Sequence, residues 1–115
     1  MGLDMYVMKT KEPEFDFETS TELFYWRKHP NLHGWMEKIY QKRGGNEDFN
    51  GIVIRLQYDD IMQLEKDLLN FDLPHTTGFF FGESSPEYRE RDIEFVKLAK
   101  EDLNQHYKLF YTSSW

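Results

Sequence analysis

The chain has 115 residues, a formal net charge of -7, 17% aromatic residues and no cysteine. That length is one domain, spanning residues 1–115, and the missing cysteines exclude a disulfide framework, a thiolate zinc site and a cysteine nucleophile. No apolar run approaches the ~20 residues of a membrane span, and the acidity argues against a binder of long nucleic acid, whose phosphates call for clustered Lys and Arg.

Residues 3–9 alternate, with Leu3, Met5 and Val7 on one side and Asp4, Tyr6 and Met8 on the other. This predicts a half-buried strand that carries one charge. Residues 10–20 read as an acidic loop broken at Pro13. Residues 21–28 contain the unbroken run Leu23-Phe24-Tyr25-Trp26, which fits a strand or a helical turn. A short helix capped by Ser20 or Thr21, ending before His29-Pro30, is the preferred reading. From Asn31, a good N-cap, Leu32, Trp35, Met36, Ile39 and Tyr40 form one apolar helical stripe. Lys42 and Arg43 complement the dipole of its last turn, and Gly44-Gly45 ends it.

After a polar loop, the β-branched residues of 51–58 predict a strand. Asp59 or Asp60 then caps a helix with Ile61, Leu64, Leu68 and Phe71 on one face, stopped at Leu73-Pro74. Residues 77–81 read as a short apolar strand closed by Gly82. Ser84-Ser85-Pro86-Glu87 reads as a helix start, with a hydroxyl cap and Pro in the first turn. That helix runs to about Gln105 with Tyr88, Phe95, Val96, Ala99 and Leu103 on its core face, and Asp92 as a polar intruder among them. Residues 108–112 form a closing strand. The expected class is α+β (or mixed α/β), a single sheet of about four strands covered by three to four helices. One sheet face is then left exposed, lined as a groove, or paired in a homodimer.

The charge is uneven. Arg27, Lys28, Lys38, Lys42 and Arg43 against Glu37 make residues 26–43 a +4 island on a -11 remainder. Residues 12–22 hold five acids and no base. Such runs read as solvated faces that attract each other, or the island as a local anion site. The block 25–35 sets Tyr25, Trp26, Arg27, Lys28, His33 and Trp35 close together. Arg offers a planar fork for phosphate or carboxylate, and Trp a stacking face. The alternative is that both Trp residues are core. His29 and His33 are spaced like half a metal site, but Pro30 puts His29 outside the helix and no further ligand is indicated, so no metal or other cofactor is expected. Gly78-Phe79-Phe80-Phe81-Gly82 lacks the Lys and Ser/Thr of a phosphate loop. It reads as a buried strand, or Phe80 helps build a ligand or dimer surface. Trp115 either docks on the body or anchors a partner. Nucleophile elbows, zinc motifs and nucleotide fingerprints are absent, which weighs against an enzyme.

The opening Met1-Gly2-Leu3-Asp4-Met5-Tyr6, the block Tyr25-Trp26-Arg27-Lys28 followed by Leu32-His33-x-Trp35, and the aromatic-serine-Trp end resemble a group of small phage and prophage proteins. The resemblance covers about a quarter of the chain by exact residues. It implies no particular activity. It implies a phage-type accessory protein in the host cytoplasm, in keeping with an opening that lacks the basic and apolar regions of a secretory signal.

Two functional expectations follow. One is an acidic, aromatic-rich protein that binds a host protein, in an anti-defence or host-takeover role. The other is a binder of a small anionic ligand such as a nucleotide, with a pocket of Trp26, Arg27, Lys28, His33 and Trp35.

Overall fold

The computed structural model describes residues 2–78 and 80–115. Met1 and Phe79 lie outside them, so the part of the expected 77–81 strand that falls on Phe79 is not described.

Four antiparallel strands form one sheet in the order β2-β1-β4-β3. They are β1 (Asp4–Thr10), β2 (Thr21–Arg27), β3 (Ile54–Leu56) and β4 (Lys108–Ser114). Three helices, α1 (Pro30–Lys42), α2 (Tyr58–Leu69) and α3 (Tyr88–Asn104), complete an α+β fold. The alternation along β1 sends Leu3, Met5 and Val7 into the core, each fully buried. Across the ladder, Trp26 faces Met5, while Phe24 and Tyr111 face Val7. These share the inner face because paired residues project to one side of a sheet. From the helices come Leu32 and Met36, Ile61 and Leu64, and Phe95 and Ala99, all fully buried. The spacings that predict the three helical stripes are those that meet here.

Several elements differ from the sequence expectation. Residues 21–27 are a strand, not a short helix. The register Asp4↔Arg27 and Tyr6↔Tyr25 puts Tyr25 and Arg27 on the outer face, so the aromatic run is divided between both faces with period two. The described residues of 77–81 form no strand. The Phe81 N–H closes a turn on the Gly78 carbonyl, and the Phe80 carbonyl accepts the N–H of Leu3. The strand expected over 51–58 shrinks to Ile54–Leu56, because Gly51 turns at φ +74° and its N–H leaves for the Ser113 carbonyl.

Helix ends shift as well. His29, not Asn31, precedes the first turn of α1, since Pro30 is pre-set for that position. Gln57 precedes α2, and Asp60 reaches back to the Gln57 N–H. Phe71 lies beyond the end of α2 in a left-handed conformation (φ +56°) and is 77% exposed rather than on the buried stripe.

The outer sheet face is partly covered by the acidic loop. Phe15 packs on Phe110 at 4.9 Å between ring centres, with Phe17 against Phe15 at 4.7 Å. No described helix is long and apolar enough to cross a membrane.

Candidate functional site

The chain leaves β2 through Lys28, which adopts a left-handed conformation (φ +54°), and then through His29 (φ -115°, ψ 72°) before Pro30 starts α1. This corner turns the His29 side chain inward, where it is 3% exposed. Its Nε2 lies 2.7 Å from Asp92 Oδ2 on α3. Asp92 is 1% exposed, and its Oδ1 accepts the indole N–H of Trp26 at 2.9 Å. A buried carboxylate is costly unless its oxygens are occupied, and here both are. With the hydrogen placed on His29 Nε2, both Asp92 oxygens accept, Oδ1 from Trp26 and Oδ2 from His29. The other ring nitrogen, Nδ1, is 2.8 Å from Ser84 Oγ. The Ser84 hydroxyl donates to Nδ1 and accepts the N–H of Asn31 at 3.1 Å. The Tyr88 ring stacks on the imidazole at 4.7 Å and fixes its plane.

Four segments thus converge on one relay running Trp26–Asp92–His29–Ser84. Its inner end is sealed. Ser84, half-buried, opens into a cleft of about 320 Å³. The end of α2 and the segment after it supply an apolar wall of Leu68, Phe71 and Leu73. Asn31, Ser85, Pro86 and Arg89 complete the lining. Asn31 Oδ1 accepts the Thr76 N–H at 3.0 Å, which leaves the amide NH2 as a donor on the cleft side of the relay. Arg89 donates to the Leu68 carbonyl and lies 3.9 Å over the Phe71 ring. The cleft therefore offers the Ser85 hydroxyl, the Asn31 amide and the Arg89 guanidinium as donors beside an apolar wall, with Ser84 Oγ, its proton directed to His29 Nδ1, in the same lining.

The residues expected to form a nucleotide pocket are not brought together. Trp26 is fully buried against Phe95 and Phe24, and Trp35 is 6% exposed with its indole N–H on Asp67. Trp26 presents no stacking face, and Trp35 shows only an edge, in a groove away from Trp26. His33 is sealed under Phe49, Phe81 and Trp115. Its Nδ1 is 2.7 Å from the Tyr111 hydroxyl. Burial lowers His33 to a pKa of about 4 and pushes Tyr111 well above its ordinary range, so the phenol donates to a neutral imidazole.

Tyr25 and Arg27 meet on the outer sheet face instead. The Tyr25 hydroxyl and Arg27 Nη1 both donate to Asp4 Oδ1, at 2.6 and 2.9 Å. The Tyr25 hydrogen bond, aided by Arg27 and opposed by burial, holds Asp4 below the usual carboxylate range. Lys28 crosses beside Gly2 and Gly82. Trp115 is docked, its ring 4.9 Å from Phe81 and its N–H on Asn50 Oδ1.

The +4 island is likewise dispersed. Lys38, Lys42 and Arg43 border a separate groove between α1 and α2, where Arg43 pairs with Asp60 at 2.6 Å. His29 and His33 face different partners, and among the described residues no three His, Asp or Glu side chains converge on one point.

Sequence reasoning missed Ser84 as a site residue because hydroxyl-hydroxyl-Pro-acid reads as a local cap. The signal that pointed to the site was Asp92, a carboxylate on an apolar helical face that requires a buried partner. Comparison with known proteins adds no relative, for no family model, curated protein or solved structure matches the chain.

Proposed function

We propose that the protein acts by binding, and that its site is the cleft above Ser84, taking a small carboxylate- or acyl-bearing ligand with an apolar body. The carrying observation is the pairing of Ser84, Asn31 and Arg89 with the wall of Leu68, Phe71 and Leu73. Small-molecule sites are mostly apolar concavities with a few placed polar groups. The reading keeps an anionic ligand and moves it away from the tryptophans. The setting is the one the resemblance implies, an accessory phage protein in the host cytoplasm.

Phe71, 77% exposed at the lip, and Leu69, 59% exposed beyond it, favour a second reading, in which a host protein inserts an apolar side chain here. Thermal unfolding with octanoate separates the two. A ligand at a hundred times its dissociation constant stabilises by about 2.7 kcal/mol, and Arg89→Ala is expected to abolish that shift. No shift with wild type removes the small-ligand reading.

A further inference from the structure

We infer that Ser84 is a nucleophile and that the cleft hydrolyses small acyl esters, an activity that rests on the acyl-binding reading of the same cleft. Three observations carry it. Ser84 Oγ donates to His29 Nδ1 at 2.8 Å, the contact a hydroxyl needs with its base. His29 Nε2 is held by Asp92 at 2.7 Å, which fixes the tautomer that leaves Nδ1 free to accept. Among the three, only Ser84 reaches solvent appreciably, and it does so at the cleft. The Asn31 N–H on Ser84 Oγ orients the hydroxyl, and the Asn31 amide is the side-chain donor beside it.

The chemistry closes with water as the second reactant. Ser84 Oγ forms a bond to the ester carbonyl carbon as its proton passes to His29 Nδ1. The carbon–oxygen bond to the alcohol breaks, and the leaving oxygen takes that proton. Water then gives a proton to Nδ1, its oxygen bonds to the acyl carbon, and the bond to Oγ breaks as the proton returns to Ser84. An ester and water become an acid and an alcohol, with the protein unchanged. Asp92 and Trp26 are positioning residues, acting through the imidazole.

The test is labelling of the full chain by an alkyl fluorophosphonate, read by intact mass and peptide mapping. One adduct is expected, on Ser84, absent in Ser84→Ala and unchanged in Ser114→Ala, a change at an exposed serine outside the cleft, with octanoate slowing its formation. In Asp92→Asn, shown folded by circular dichroism, labelling is expected to slow at least about tenfold, because the imidazole loses its tautomer control. If that variant does not fold, the wild-type rates decide, with Ser84 expected to label at least about tenfold faster than Ser85. A folded wild type with no Ser84 adduct overturns the proposal. So does labelling of Ser84 no faster than Ser85, or undiminished labelling of folded Asp92→Asn. Octanoate binding without an adduct overturns the nucleophile and leaves the binding reading. An adduct without octanoate binding removes the carboxylate reading and leaves the nucleophile.

Discussion

His33 Nδ1 sits 2.7 Å from the hydroxyl of Tyr111, and the two groups are sealed together, 1% and 0% exposed, between α1 and the inner face of β4. The pair makes stability depend on pH. Folded His33 resists protonation down to a pKa of about 4, while an unperturbed histidine titrates at 6.5. Between those values the unfolded chain binds a proton that the folded chain does not. The contribution is therefore fully present above pH 6.5 and is lost as pH falls toward 4, a change of about 3 kcal/mol at most. Urea midpoints at neutral and mildly acid pH are expected to show this loss, and His33→Gln is expected to flatten it.

Asp92 ties three segments through its two oxygens. Replacing it with Ala leaves the Trp26 indole N–H and the His29 N–H buried without an acceptor. Such removals cost about 3–5 kcal/mol, so Asp92→Ala is expected to be among the most destabilising single changes in denaturant unfolding. Asp92→Asn keeps one acceptor oxygen and is expected to cost less.

Gly34 is in the middle of α1 because a loop lies against it. A Cβ built there falls 1.9 Å from Thr76 Oγ1 and 2.9 Å from Thr76 Cβ. Gly34→Ala thus gains helix propensity but is expected to lose about 1–3 kcal/mol overall through the clash. Adding Thr76→Gly removes the obstructing atoms, and a double-mutant cycle is expected to show favourable coupling between the two positions.

Asp4 accepts from Tyr25 and Arg27 on the outer face of the sheet. Its lowered pKa means that its contribution is present above the ordinary carboxylate range and is lost as pH falls through the folded value. Tyr25→Phe is expected to cost about 1 kcal/mol and to raise the Asp4 titration midpoint in carboxyl NMR. Arg27→Ala is expected to cost less, its side chain being 49% exposed to screening solvent.

What could be read from the sequence was what repeats locally. The stripes of Leu32, Met36, Ile61, Leu64, Phe95 and Ala99 recur at helical spacing, and the alternation of Leu3, Met5 and Val7 marks a strand, so the sheet-and-helix class was accessible. The run Leu23-Phe24-Tyr25-Trp26 carries no period, since both sheet faces take large residues there. Residues 77–81 have strand composition, but the turn closed from Phe81 to Gly78 breaks the ladder. The site was legible at one point only, the carboxylate of Asp92 on an apolar face. Its partners come from 63 and 66 positions away in sequence, and Ser84 from 55 positions away from His29. No local pattern encodes contacts of that range. The tryptophans were misleading for a related reason. Beside Arg27 and Lys28 they look like stacking faces, but a strand sends neighbours to opposite sides, and Trp26 goes to the core while Arg27 goes to the surface.

The most direct test of the cleft is an octanoate titration followed by NMR of the indole and side-chain amide N–H groups. Trp26 reports on the relay through Asp92, Asn31 lines the cleft, and Trp35 is bonded to Asp67 on the separate groove between α1 and α2. The account predicts that the Trp26 indole and Asn31 amide signals move together and saturate while the Trp35 indole stays in place. Movement of Trp35 with Trp26 unmoved, or no movement at all, would contradict it.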